Sequence, residues 1–186
     1  FQEVDIVGIS MPVTKHNFIV KDVRELADTI RQAFCIAKSG RPGPVLVDIP
    51  KDVQQALCDF EAQPSPVEPM PKKRASNHRL RWAADMIVES KRPYIYFGGG
   101  ILSGDASEEL KAFAEKIDAP MGCSLMGLSA VPSDHPRFLG MQGMHGHFAS
   151  SVAEDEADLV IALGVRFSDR ATGKKDRFAK NFKIIH

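Results

Sequence analysis

Beyond residue 76 the chain alternates amphipathic stretches with short, continuously apolar runs that stop at glycine. Pro93-Tyr94-Ile95-Tyr96-Phe97 runs into Gly98-Gly99-Gly100, and Asp158-Leu159-Val160-Ile161-Ala162-Leu163 runs into Gly164. A strand with one wet face alternates apolar and polar residues, whereas an uninterrupted apolar strand has both faces covered. Such strands, alternating with helices, predict an α/β fold built on a doubly wound parallel sheet. The expected helices open near Asn77, taken as an N-cap, with Leu80, Ala83, Ala84, Ile87 and Val88 as the apolar stripe. They continue over 106–117, with Leu110, Phe113 and Ile117 on one face, and from His147 to about Asp155. Further strands begin at Pro120-Met121-Gly122-Cys123 and at Phe182-Lys183-Ile184-Ile185.

Residues 1–55 read as a partial α/β segment. Phe18-Ile19-Val20 is extended, and Val23 to Ser39 carries apolar residues at helical spacing. Two glycines and two prolines within Gly40-Arg41-Pro42-Gly43-Pro44 break that helix, and Val45-Leu46-Val47-Asp48-Ile49 suits a buried parallel strand. Residues 56–76 contain Pro64, Pro66, Pro69 and Pro71, followed by Lys72-Lys73-Arg74, the composition of a semi-rigid exposed linker. Residues 77–186 then form the second α/β domain.

Open parallel sheets bind ligands outside the carboxyl ends of their strands. The glycine triplet lies at such an end, as do Gly143-Met144-His145-Gly146 and Gly164-Val165-Arg166-Phe167-Ser168-Asp169-Arg170. Glycines admit close approach, arginine neutralises phosphate or carboxylate, and Met and His pack against a ring system, a mixture suited to a flat anionic ligand. Singly, each residue has a plainer reading. Met144 would fill a core, His145 would pack at the surface, and Gly98-Gly99-Gly100 would be either a phosphate-binding turn or a tight connection. The triplet is not a dinucleotide fingerprint, which would need glycine at Ser103.

Other chemistries find little support. Twenty-four Lys and Arg balance 24 Asp and Glu, so no net field draws the chain to nucleic acid or an anionic membrane. No apolar run approaches the ~20 residues that span a bilayer. No metal site forms around His145 and His147, and there is no G-x-S-x-G elbow, P-loop or H-E-x-x-H. Cys35, Cys58 and Cys123 are widely spaced and read as reduced thiols.

Many short runs, in order, resemble the acetolactate synthase (acetohydroxyacid synthase) catalytic large subunits, a family of thiamine-diphosphate enzymes. Phe1-Gln2-Glu3, Thr14-Lys15-His16-Asn17, Ser39 to Asp48 and Pro50-Lys51-Asp52-Val53 are similar to the end of its N-terminal, pyrimidine-binding domain. Gly98-Gly99-Gly100, Ser124-Leu125-Met126-Gly127-Leu128, Gly143 to Gly146 and Gly164 to Phe167 are similar to its central, FAD-binding domain. The resemblance implies FAD held by Arg41, Gly99, Ser124, Leu125, Gln142, Gly143, Met144, His145, Gly164, Val165, Arg166, Phe167 and Ser168, without electron transfer in the main reaction. It implies Gln2 near thiamine diphosphate and Phe1 near the first pyruvate. Lys51 and Met144 would line the substrate channel, and Arg170, oriented by Asp169, would pair with the carboxylate of the second 2-oxoacid. No catalytic residue and no metal ligand is implied in this chain, and thiamine diphosphate with its magnesium would be bound mostly outside it.

By the same resemblance the whole enzyme condenses two pyruvates, or pyruvate with 2-oxobutyrate, in branched-chain amino-acid biosynthesis. It would work as a homo-oligomer with a possible regulatory small subunit, in the cytoplasm if the source is bacterial. Gly104-Asp105 opens like the magnesium-diphosphate motif, but Ala106 replaces its second glycine and no paired asparagines follow. Phe1 begins inside a family motif, so the chain is expected to be a fragment, inactive alone. Ser168 stands where an acid is common, Ser129 where glycine follows the Leu, and His147 where Thr is frequent; these departures are expected to tune the pocket. Another thiamine-dependent carboligase or decarboxylase, and a self-standing nucleotide-binding module, are the rival readings.

Overall fold

Gly40 and its neighbouring prolines end a helix and return the chain beside the strand that preceded it. In the computed structural model, which describes residues 4–62, 74–174 and 178–186, this forms the first of two units, Phe1–Arg74 and Ala75–His186. The first unit runs α1 (Ile6–Ser10), β1 (His16–Ile19), α2 (Leu26–Lys38), β2 (Val45–Asp48) and α3 (Lys51–Gln55). β1 and β2 are parallel, His16 opposite Val45, and α2 makes the crossover. A single 3-10 turn, Val23–Glu25, precedes α2, and the Asp22 carboxylate caps it by accepting from the Arg24 amide at 2.9 Å. The buried residues are Ser10, Val20, Ala33 and Val53.

Two expectations need correction here. β1 opens at His16, two residues before the apolar run that signalled it. β2 is only half-buried along its length, because a two-stranded sheet covers little of either face. The helices α1 and α3, five residues each, are too short to show a period. Of the expected linker, Gln63 to Lys73 lie outside the described residues, and the flanking 56–62 and 74–76 are exposed and without regular structure.

The second unit runs α4 (Asn77–Glu89), β3 (Pro93–Phe97), α5 (Gly99–Ser103), α6 (Ser107–Lys116), β4 (Met121–Cys123), β5 (Phe138–Met141), α7 (Phe148–Asp155), β6 (Leu159–Leu163), α8 (Asp169–Thr172) and β7 (Lys183–Ile185). Its five strands are all parallel, in the order β5-β4-β3-β6-β7. The chain therefore starts at β3, fills one side with β4 and β5, then crosses back to add β6 and β7. That reversal is the doubly wound arrangement, and it puts the switch point between β3 and β6. Ile95 and Phe97 face one side with Leu110, Met121, Cys123 and Ile161. Tyr94 and Tyr96 face the other with Val160, Ala162 and Val165.

The N-cap of α4 is Ser76 rather than Asn77. The Ser76 hydroxyl accepts from the Arg79 amide, and Asn77 is the first helical residue. The apolar stripe of α4 is also narrower than its sequence suggests. Met86 and Ile87 pack on the core, whereas Val88, about 100° further round the helix, is 85% exposed, and Leu80 in the first turn is exposed as well. β5 has no counterpart in the expected elements. Its four residues include Gly140 at φ +88°, where a Cβ would strike the His147 ring, and its register with β4 is irregular. Among the described residues, the three cysteines are free and no helix is long and apolar enough to cross a membrane.

Candidate functional site at the carboxyl edge of the sheet

Because every strand of the second unit points the same way, four connections emerge along one edge. They start at Gly98 after β3, Ser124 after β4, Gln142 after β5 and Gly164 after β6. At the switch point the glycines pack on each other. The Gly98 amide donates to the Leu163 carbonyl at 3.1 Å, and the Gly100 amide donates to the Gly164 carbonyl at 2.8 Å. A Cβ on Gly100 would lie 2.5 Å from the Gly164 Cα, and Gly164 itself has φ +57°. Gly98 and Gly100 thus serve as the tight connection. Gly99 is beside Met126, which a Cβ there would meet at 3.1 Å.

The Ser124 amide donates to the Phe97 carbonyl at 2.9 Å, starting a 3-10 turn over Leu125–Gly127. Leu125 and Met126 leave that turn largely exposed. On the far side of the sheet, β5 ends in Gln142 and a turn through Gly143 to Gly146. Gly143 has φ +100°, and a Cβ there would sit 2.5 Å from the Arg170 carbonyl oxygen. The next amide, Met144, donates to that same oxygen at 2.8 Å. β5 and β6 are three places apart in the sheet, so the segment following β6 crosses the carboxyl ends of β3 and β4 to reach this turn.

The crossing segment alternates burial and exposure. Val165 is buried and Phe167 is half-buried, 5.9 Å from the Tyr96 ring and 5.4 Å from the His186 ring. The His186 Nε2 lies 3.1 Å from the Val165 carbonyl oxygen. Arg166, Ser168, Asp169 and Arg170 are exposed, and the Asp169 Oδ1 accepts from the Arg170 amide at 2.9 Å. Among the described residues neither Arg166 nor Arg170 has a carboxylate within ion-pair distance. Met144 is 68% exposed and His145 is exposed beside it. Among the described residues the edge therefore presents two exposed cations without a carboxylate partner, along with three exposed apolar side chains, Leu125, Met126 and Met144.

Gln142 departs from the others. Its side chain is turned inward, where its Oε1 accepts from the Tyr94 hydroxyl at 2.9 Å, so only its backbone faces the edge. The remaining candidates fall elsewhere. Arg41, whose carbonyl accepts from the Lys15 ammonium at 3.1 Å, and Lys51, the first residue of α3, are exposed on the first unit. Phe1 and Gln2 lie outside the described residues. Of the departures from the family pattern, Ser129 is exposed and His147 packs on Gly140. Among the described residues no group of three metal-ligating side chains comes together.

The sequence reading missed the polar group under the 143–146 turn: Tyr94, Ser150 and Glu154. Burial pushes the Glu154 carboxyl group up to about 7 and the Cys123 thiol up to about 11. The spacing of Ser150 and Glu154, one helical turn apart, was the available signal, but it gains meaning only once β5 brings Gln142 alongside.

The family model described as the central domain of thiamine pyrophosphate enzymes matches residues 80–186. The acetolactate synthase isozyme 1 large subunit of Escherichia coli (strain K12) is 48% identical over 186 residues, covering all of this chain and 33% of that protein. A probable acetolactate synthase large subunit of Methanocaldococcus jannaschii is 48% identical over 191 residues, covering all of the chain and 32% of that protein. An acetolactate synthase of Mycobacterium leprae (strain TN) is 47% identical over 188 residues, covering all of the chain and 30% of that protein. The chain spans about a third of the length of the curated relatives it matches.

Proposed function

We propose a function from one premise: the chain belongs to the thiamine pyrophosphate enzyme family, through that family's central domain. On that footing the chain is part of an acetolactate synthase large subunit, which joins two 2-oxoacids into an acetohydroxyacid, the first losing its carboxylate as CO2, for branched-chain amino-acid synthesis. Residues 1–55 are then the end of a pyrimidine-binding domain, 56–76 the linker and 77–186 a central domain that holds FAD. A homo-oligomer, a regulatory small subunit and, for a bacterial source, the cytoplasm complete the reading.

The observation that carries it is the meeting of the two loops at Met144 and Arg170, with exposed charge on one side and exposed apolar surface on the other. FAD needs cations for its diphosphate and an apolar face for its ring. Arg166 offers the first, and Leu125, Met126 and Met144, all largely exposed, offer the second. Ser124, Gly143, His145 and Gly164 would line the same edge, Val165 and Phe167 would anchor the strap that carries Arg166 and Ser168, and Gly99 would approach from the β3 end. Arg41, on the first unit, is proposed as an FAD contact by the resemblance alone.

Arg170, exposed and unpaired among the described residues, would hold the carboxylate of the acceptor 2-oxoacid, with Asp169 fixing the backbone from which it projects. Met144 would line the approach from this unit; by the resemblance alone, Lys51 is proposed as a substrate-channel residue, Phe1 as a contact of the first 2-oxoacid and Gln2 as a thiamine contact. Thiamine diphosphate with magnesium, when bound, supplies the nucleophilic carbon; this chain's residues bind, orient and exclude water. The test is flavin binding by the full-length protein together with acetolactate formation from pyruvate. Binding of NAD or ADP with indifference to FAD would sink the reading.

A further inference from the structure

Directly beneath the turn that carries Met144 lies a polar cluster to which the proposed ligand site assigns no role. The Tyr94 hydroxyl donates to the Gln142 Oε1 at 2.9 Å and lies 2.7 Å from the Ser150 Oγ. Ser150 and, one turn later on α7, Glu154 face the same interior, and Gln142 and Glu154 are only 5% and 7% exposed. The Gln142 Nε2, the Glu154 Oε1 and the Tyr96 hydroxyl are all buried without a hydrogen-bond partner among the described residues. Gly122 on β4 makes the room, since a Cβ there would lie 2.0 Å from the Tyr94 hydroxyl and 2.2 Å from the Ser150 Oγ. An interior that needed only packing would be apolar here.

We propose that Glu154, acting through Gln142, is a proton-dependent positioning residue for the 143–146 turn: the carboxylate holds the Gln142 amide seated inward, and protonation loosens it. The Gln142 Nε2 can only donate and the Tyr96 hydroxyl can donate, both are without partners among the described residues, and a carboxylate accepts from both, whereas protonation uses up one acceptor site. The groups around it give the carboxylate no counter-charge. They are Gln142 after β5, Tyr94 and Tyr96 on β3, Cys123 on β4, and Asp155 on its own helix; His147, which opens that helix, turns to Gly140 instead. Tyr96 is pushed up to about 12 and Cys123 to about 11, so Glu154 is the member of this cluster that changes charge near neutrality. Gln142 is followed at once by Gly143, whose left-handed backbone sets the direction of Met144, so a shift of one side chain is passed to the exposed edge.

This inference rests on the reading above only in taking the turn to face the flavin, and the first measurement does not need a ligand. The full-length protein, labelled at its methionine methyl groups, is followed by NMR from pH 5.5 to 8.5. The expected result is a Met144 methyl signal that titrates with a midpoint near 7 in the wild type and stays flat in Glu154→Gln, the neutral isostere. FAD affinity, read by flavin fluorescence quenching, is expected to rise about tenfold over the same range in the wild type alone. Tyr94→Phe keeps the ring but removes the hydroxyl anchor, and should hold the Met144 signal near its low-pH position at every pH. A Met144 signal that titrates equally in Glu154→Gln overturns the proposal, as does a flat signal in the wild type. An intact methyl titration without FAD binding at any pH supports the positioning role and sinks the flavin reading instead.

Discussion

The Met144 amide donates to the Arg170 carbonyl oxygen over 2.8 Å, joining the connection that follows β5 to the one that follows β6. The two residues lie 26 positions apart in the chain and on opposite sides of the switch point. The bond makes one continuous rim from two loops, with Met144 as its apolar end and Arg170 as its charged end.

That rim depends on Gly143. Its φ of +100° disfavours any side chain, and a Cβ would sit 2.5 Å from the Arg170 carbonyl oxygen. Gly143→Ala is expected to lose about 1–3 kcal/mol of stability from backbone strain and displacement of α8. Urea unfolding should register this, and FAD affinity should fall at least about tenfold in the same variant.

Arg170 is exposed and pairs with no carboxylate among the described residues, so its removal should leave folding almost untouched, within about 0.5 kcal/mol. Arg170→Ala in the full-length enzyme should raise the KM for the acceptor 2-oxoacid by roughly 10-fold or more. Arg170→Lys should recover only part of it, because a point charge lacks the guanidinium fork. Steady-state kinetics with pyruvate and 2-oxobutyrate would decide; unchanged acceptor kinetics would remove Arg170 from the site.

Glu154 links pH to stability with a definite sign. Its folded value, about 7, lies above the ordinary carboxyl value of 4.5, so the folded state binds the extra proton between them. Stability should therefore decline as pH rises from about 4.5 to about 7 and level off above that, by roughly 2–3 kcal/mol in all. Glu154→Gln should flatten this part of the profile in denaturant melts at a series of pH values.

Asp158 has the opposite sign. Its carboxylate accepts from the Ser90 hydroxyl and from the Lys91 and Arg92 amides, tying the start of β6 to the chain entering β3. The Ser90 hydrogen bond first, then the two backbone amides, hold its carboxyl below the usual range. Its contribution is present above the unfolded carboxylate value and is lost as pH falls through the lowered folded one. Solvent screening discounts the electrostatic part, so Asp158→Ala is expected to cost about 1–2 kcal/mol near neutral pH, with a smaller difference in acid. Thermal melts at pH 7 and pH 3 would separate the two.

How much could be seen beforehand follows from what each element needs. β3 and β6 were legible because both faces are buried and every residue must be apolar. β5 was not, since its four residues include Gly140, whose left-handed backbone accommodates a histidine from a later helix. Ser76 and Asn77 are both capping types, and only the hydrogen bond to Arg79 separates them. The strand-end runs at 143 and 164 could be picked out from composition at the end of an apolar run. Their contact across the sheet could not, because it depends on strand order. The Tyr94–Gln142–Ser150–Glu154 group was hidden for the same reason: its members come from three elements, and each alone looks like ordinary strand or helix sequence.

The segment from Leu163 to Arg170 has little slack. Seven residues fully extended reach about 23–25 Å, and the opening turn of α8 takes up part of that length. It must cover three strand spacings, about 14 Å, with Val165 and Phe167 already tethered along the way. Removing three residues would cut the fully extended reach to about 13–14 Å, no more than the span itself, while added residues would let the tie drift. The spacing between Gly164 and Arg170 is thus a ruler for the width of the sheet, and length changes there should be tolerated far less than in the connections at the opposite edge.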